Sequence, residues 1–224
     1  GNKKLTADSD YEVTYSKIKN VGTATVKITG IGNYYGTITR NFQIVSAQNT
    51  PTPAPVSKTF KDAYNTYTVN KTGTSVTLKK PNSKVIITAT IPSSVKANGK
   101  TYKVTAIAPN AFKNCRKLKQ ATISKNVSSI GSGAFQGCSS LRTLKIGSKV
   151  SSIGAKAFYD CKALTSVTIQ SKKLTSVSVG KSAFAKAGRN NYKKLMVKVP
   201  KSRLSAYKKL LKAKGLSSKT KVTK

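Results

Sequence analysis

The stretch 111-AFKNCRKL-118 returns as 134-AFQGCSSL-141 and again as 157-AFYDCKAL-164. Phe112, Phe135 and Phe158 stand 23 residues apart, and so do Cys115, Cys138 and Cys161, and Leu118, Leu141 and Leu164. A fixed period in this range marks a stacked array, in which each copy is one small unit unable to bury its own apolar side chains. Stacking buries them. Phe on Phe, Cys on Cys and Leu on Leu form ladders, and the constant period keeps the ladders in line.

Written out, the repeat runs Ile-Gly-x-x-Ala-Phe-x-x-Cys-x-x-Leu-x-x-apolar-x-Ile from Ile107 (with Ala108 in place of Gly), Ile130 and Ile153. Its second part predicts a short strand: Leu118/Ala121/Ile123, Leu141/Leu144/Ile146 and Leu164/Val167/Ile169. The last two apolar residues of each are two apart and so share a side. Phe and Cys, three apart, suit one helical or 3-10 turn that aims both inward. A fourth copy is irregular: Ala187 stands for Cys, Phe158 to Phe184 spans 26 residues, and the strand falls at 195-LMVKV-199. After Pro200, the stretch 202-SRLSAYKKLLKAK-214 puts Leu204, Tyr207, Leu210 and Leu211 on one helical face. Ser202 is the expected N-cap and Gly215 the expected C-terminal stop. Such a unit closes the open end of a solenoid. The expected fold is therefore mainly β with short helices, the repeats at 107–199 and a helical cap at 200–224.

Upstream, residues 57–106 read as a β cap, with Tyr67, Val69, Val76, Leu78, Val85, Ile87 and Ile91 in short alternating runs. Asn98-Gly99 between 94-SVKA-97 and 100-KTYKV-104 predicts a hairpin. The tripeptide 99-GKT-101 also ends a phosphate-binding loop, but Ser94 stands where that loop needs Gly, and a strand follows where it needs a helix. Three prolines at alternate positions make 47–56 a semi-rigid linker. Residues 1–46 read as three strands, 11-YEVTY-15, 22-GTATVKITG-30 and 37-TITRNFQI-44. Three strands alone make a weak sandwich, so an incomplete module is expected there.

These residues resemble the BspA-type, or Treponema pallidum-type, leucine-rich repeats over about residues 76–224. The run IGxxAFxxCxxLxxVxI is that family's repeat, and "VPKSRLSAYKKLLKAKG" resembles its last unit in Gram-positive members. Asp10 to Ile44 resembles the second half of small Ig-like repeats in Gram-positive surface proteins. The resemblance implies a leucine-rich-repeat solenoid with β and helical caps behind a partial Ig-like module. It further implies a secreted or bacterial cell-surface protein, some members of the family acting as adhesins toward host matrix proteins or other cells.

Charge bears on partners. The chain has 42 Lys+Arg against 5 Asp+Glu, a net of +37. Residues 1–46 hold six basic and three acidic residues, so the remainder carries +34, opposed only by Asp62 and Asp160. Such a field attracts anionic polymers; a lysine surface that merely keeps the chain soluble is the other reading. Catalysis has little to work with. There is no His among the 224 residues, and the five carboxylates show no paired spacing. Ser-x-x-Lys at Ser93/Lys96, Ser178/Lys181 and Ser205/Lys208 lacks the partner segments of a serine nucleophile. Asp160 reads as solvated. Cysteines 23 apart make no zinc pair, and identical core positions predict buried, reduced thiols, although one bridge between neighbouring coils stays open. No catalytic, metal or cofactor residue is assigned, and no cofactor is expected.

Two function classes remain. One is a non-catalytic surface module that binds a host or bacterial surface protein, or an anionic polymer such as teichoic acid or a glycosaminoglycan. Its strand face would carry Gln120, Thr122, Thr143, Lys145, Ser166, Thr168 and Lys198, which alternate with the buried positions. The other is the wall- or glycan-targeting end of a larger secreted enzyme whose catalytic domain lies upstream. Lys208, Lys209 and Lys212 are the expected anion-binding residues, in a 25-residue terminal unit with nine Lys+Arg and no acid. Nucleic acid would bind only non-specifically, since no helix-turn-helix, RRM or KH pattern occurs. No apolar run suits a membrane span, and a monomer is expected.

Overall fold

A computed structural model describes residues 5–16, 22–44 and 59–224. The chain divides into two compact units, Gly1–Val56 and Ser57–Lys224. In the first, strands β1 (Tyr11–Ser16), β2 (Gly22–Gly30) and β3 (Thr37–Ile44) form one antiparallel sheet in that order. Tyr11 faces Gly30, and Thr29 faces Thr37. Among its described residues Ala24 is the one buried apolar side chain. This is a single layer, so an Ig-like sandwich is not shown. The Pro-rich linker of residues 47–56 lies outside the described residues.

The second unit opens with β4 (Thr59–Lys61), β5 (Asn65–Val69) and β6 (Ser75–Pro81), an antiparallel run. Then come β7 (Thr88–Ile91), β8 (Ser94–Ala97), β9 (Lys100–Ile107), β10 (Gln120–Ile123), β11 (Ser129–Ile130) and β12 (Thr143–Ile146). The series ends with β13 (Ser152–Ile153), β14 (Ser166–Ile169), β15 (Met196–Lys198), helix α1 (Leu204–Ala213) and β16 (Lys221–Thr223). Two sheets result, with orders β16-β15-β14-β12-β10-β7 and β13-β11-β9-β6-β5-β4, β8 pairing with β9. The first sheet is parallel throughout, as a solenoid requires of strands that return once per coil. The hairpin at Asn98-Gly99 forms as its sequence dictates, with φ of 49° and 72° at the two turn residues.

The core lies between the sheets and is made of ladders. Phe112 stacks on Phe135 at 4.8 Å between ring centroids, Phe135 on Phe158 at 5.5 Å, and Phe158 on Phe184 at 5.2 Å. Cys115, Cys138 and Cys161 are buried and free. The thiols of Cys138 and Cys161 donate to Phe112 O and Phe135 O of the preceding coil, each at 3.1 Å. Burial raises all three thiol pKa values, that of Cys138 to about 12, so they stay protonated. The turn from Phe to Cys is of the 3-10 kind: Cys115 N–H donates to Phe112 O at 3.1 Å. Between coils, Phe112 N–H donates to Ala134 O and Phe135 N–H to Ala157 O, each at 2.7 Å. The repeated Ile-Gly has a steric cause, because a Cβ at Gly131 would lie 2.8 Å from Pro109 Cα and one at Gly154 2.7 Å from Ser132 Cα. Only glycine lets successive coils approach so closely.

The irregular fourth copy keeps the Phe ladder by looping out its extra residues before Val179, which still bridges to Ile153. That loop is tied down by Tyr207, whose hydroxyl donates to Ser171 O at 2.9 Å and accepts from Leu174 N–H at 3.0 Å. Tyr207, Leu210 and Leu211 of α1 are buried against the last coil, as their spacing predicts. Ser202 is not the N-cap. It lies in a 3-10 turn, Lys201–Arg203, Arg203 occupies the cap position, and no side chain caps the helix. Pro200 starts that turn and shifts the helix start past Ser202. Gly215 does end the helix, at φ 98°, with Leu216 N–H reaching Leu211 O at 2.9 Å and Gly215 N–H reaching Lys212 O at 3.0 Å. This pair of bonds is a Schellman closure.

Candidate binding surfaces

Register converts the alternation within each strand into two straight rows on the outer face of the six-stranded sheet. Gln120, Thr143 and Ser166 stand opposite one another, flanked by Thr88 and, beyond β14, Met196 and Lys221. The second row runs Thr90, Thr122, Lys145, Thr168, Lys198 and Thr223. All seven strand-face residues expected from sequence are thus gathered on one face, exposed except for half-buried Thr168. Sequence reading missed Thr88, Thr90, Met196, Lys221 and Thr223. Thr88 and Gln120 are 32 residues apart because the β8–β9 hairpin lengthens that coil, and β16 is only three residues long. Along the rows side chains repeat at the strand spacing of about 4.8 Å, and none is acidic.

The two carboxylates of this unit are held elsewhere. Asp62 accepts from the Tyr67 hydroxyl at 2.9 Å and from Asn65 N–H at 2.6 Å in the turn before β5. Burial, followed by that hydrogen bond, raises the Tyr67 pKa and keeps the hydroxyl protonated. Asp160 is not simply solvated, for it pairs with Arg189 at 2.7 Å, both side chains remaining partly exposed. Neither acid offsets the lysines of the strand face.

The three helix lysines do not line one groove. Lys208 and Lys212, one turn apart on α1, face an open groove of about 830 Å³ between the helix and β16, shared with Lys201, Lys221 and Lys224. Lys209 lines the other flank of α1, where Leu174, Arg203 and Tyr207 wall a hollow of about 330 Å³. Lys201, Lys221 and Lys224 carry no sequence signal of their own, because only the helix–strand juxtaposition brings them beside Lys208. Among the described residues no cluster of His, Cys, Asp or Glu could hold a metal ion.

Residues 105–210 match the family model described as the BspA type leucine rich repeat region, in six copies. The solenoid is a BspA-type leucine-rich repeat. The chain is similar to several solved structures. A T. pallidum leucine-rich repeat protein is 20% identical, with 64% of this chain and 72% of that one covered and a TM-score of 0.51, a likeness of fold. A leucine-rich repeat protein from Bacteroides capillosus is 32% identical over 52% of this chain and 87% of its own, with a TM-score of 0.46. A protein from Faecalibacterium prausnitzii, titled a leucine rich cell surface protein, is 23% identical over 63% of this chain and 45% of its own, with a TM-score of 0.45. No curated protein matches the chain. BspA-type and other leucine-rich repeats generally serve as binding modules and are generally non-catalytic. Among the described residues no helix is long and apolar enough to cross a membrane.

Proposed function

We propose that residues 57–224 form a non-catalytic binding module, secreted or displayed on a bacterial surface, that captures an anionic partner. The observation that carries this reading is the distribution of charge: both acids are tied into turns, while five lysines converge on one groove and Lys145, Lys198 and Lys221 stand on an acid-free strand face. A field of one sign over a cleft and its adjoining face raises the local concentration of an oppositely charged polymer and speeds its capture. Wall polymers of the teichoic acid kind and sulfated glycans have the required charge, and the hydroxyl rows supply hydrogen-bonding groups once the polymer lies on the sheet. An adhesin role and a wall-targeting role for a larger enzyme both use this surface.

The test is retention on immobilised heparin and on purified wall polymer across a salt series. The protein should be held at low salt and released as salt rises, since charge-driven contacts to a phosphate chain lose about 0.7–0.9 in log K per contact for each tenfold rise in salt. Changing Lys208 and Lys212 together to Glu should bring elution to lower salt than Lys209→Glu alone. A parent protein that passes both columns at low salt would reduce the charge to a solvated surface.

A further inference from the structure

The groove between α1 and β16 runs along an edge of the six-stranded sheet with which no further strand pairs among the described residues, since β16 is the last strand in the order. The bonding pattern shows which backbone groups that edge offers. Lys221 N–H donates to Leu195 O at 3.3 Å, and Val199 N–H donates to Thr223 O at 2.9 Å. Lys221 and Thr223 therefore turn their peptide groups toward β15, and Val222 between them turns its N–H and C=O outward. Thr220 lies beside this edge. It is 5% exposed, it lines the groove, and its Oγ1 has no hydrogen-bond partner. A buried hydroxyl without a partner is destabilising until a ligand supplies one.

We propose that this groove binds an extended acidic peptide, which adds to the free edge of β16 as the next strand of the sheet. Three observations meet in that occupant. Its backbone pairs with the outward N–H and C=O of Val222, the mode of recognition used wherever an open sheet edge receives a peptide. Its carboxylates lie among Lys201, Lys208, Lys212, Lys221 and Lys224, while its intervening side chains rest on Leu204. A backbone or carboxylate oxygen satisfies Thr220. The same lysines argue against a second copy of this chain as the occupant, because two such edges brought together would oppose five cations to five. Lysine on an edge strand is a known guard against self-pairing; here the guard also selects for acid. A polyanion without a peptide backbone would satisfy the lysines and leave the edge of Val222 unused.

The proposal rests on the anion-binding reading for the groove's charge and goes beyond it in the backbone pairing, and the experiment separates the two. A labelled acetyl-Glu-Val-Glu-Val-Glu-Val-Glu-amide is titrated with the full chain at low salt and followed by fluorescence anisotropy. A second peptide of the same sequence, N-methylated at every amide, keeps the charge and loses the edge donors. The unmethylated peptide should bind about tenfold more tightly, the worth of the one backbone hydrogen bond to Val222 O that methylation removes, and Lys208→Glu with Lys212→Glu should abolish binding. Equal affinity for both peptides would overturn strand addition and leave capture by charge alone. Binding of heparin with neither peptide bound would assign the groove to a polymer. Failure of the peptides and of heparin alike would remove both readings.

Discussion

In the three-stranded sheet of β1 to β3, Ile38 is 56% exposed and Phe42 43%, whereas Phe112, Phe135 and Phe158 of the solenoid are at most 1% exposed. Both regions are β structure written in short alternating runs, and the difference lies in where the second layer comes from. Alternation gives a strand one apolar face and one polar face, but something else must cover the apolar one. In the first unit the described residues bring no cover, and Ala24 alone is buried. In the solenoid each of the three regular coils carries its own: a strand, a turn with Phe and Cys, and a second strand close around the same interior, and the neighbouring coils seal it. A single apolar side chain of this size, fully buried, contributes about 1.5–3 kcal/mol. The ladders of the solenoid collect that contribution many times over.

The two regions should differ most in the cost of losing an aromatic ring. Phe135→Ala removes the ring stacked on both sides and should destabilise the solenoid by about 3–5 kcal/mol, while Phe42→Ala should change stability by no more than about 0.5 kcal/mol. Urea unfolding of the two variants, read against the parent, measures both. Comparable losses would show that the first sheet has a core of its own.

A smaller effect is expected at the thiol ladder. Burial raises the thiol pKa of Cys138 from an ordinary value of 9.0 to about 12 in the folded chain. A pKa raised by folding gives stability that is fully present below the unfolded value and is lost as pH climbs through the folded one. The parent should therefore lose stability between about pH 9 and 12, and Cys138→Ala should show a flatter dependence over that interval, whatever the lysines contribute to both. Parallel pH profiles from thermal unfolding would place the thiol in water.

Much of the solenoid is legible in its sequence. The 23-residue period determines which side chains stack, and the alternation within Gln120–Ile123 and its copies determines which face each strand shows to solvent. What escapes such reading does so for physical reasons. The hairpin of β8 and β9 stretches one coil, hiding the kinship of Thr88–Ile91 with the later strands. Residues two before and two after each Phe adopt positive φ, among them Asn110 and Asn114, then Gly133 and Gly137, then Lys156 and Asp160. The turn imposes that backbone, and only Gly and Asn announce it by residue type. At the C-terminal end three neighbouring lysines of one helix read as one site, but α1 packs with Lys209 on the opposite flank from Lys208 and Lys212. The groove itself depends on β16, whose three residues carry too little pattern to be read as a strand.

If the repeats close into stacked coils with their cysteines inside, none of the three thiols meets solvent, and a thiol reagent reads this out. With no reductant present, a thiol reagent should find none of Cys115, Cys138 and Cys161 in native buffer and all three in denaturant, released together over one urea transition. A count of one in denaturant would mean a disulfide. A cysteine that reacts in native buffer would mean that its coil is not stacked, and either result would contradict the ladder.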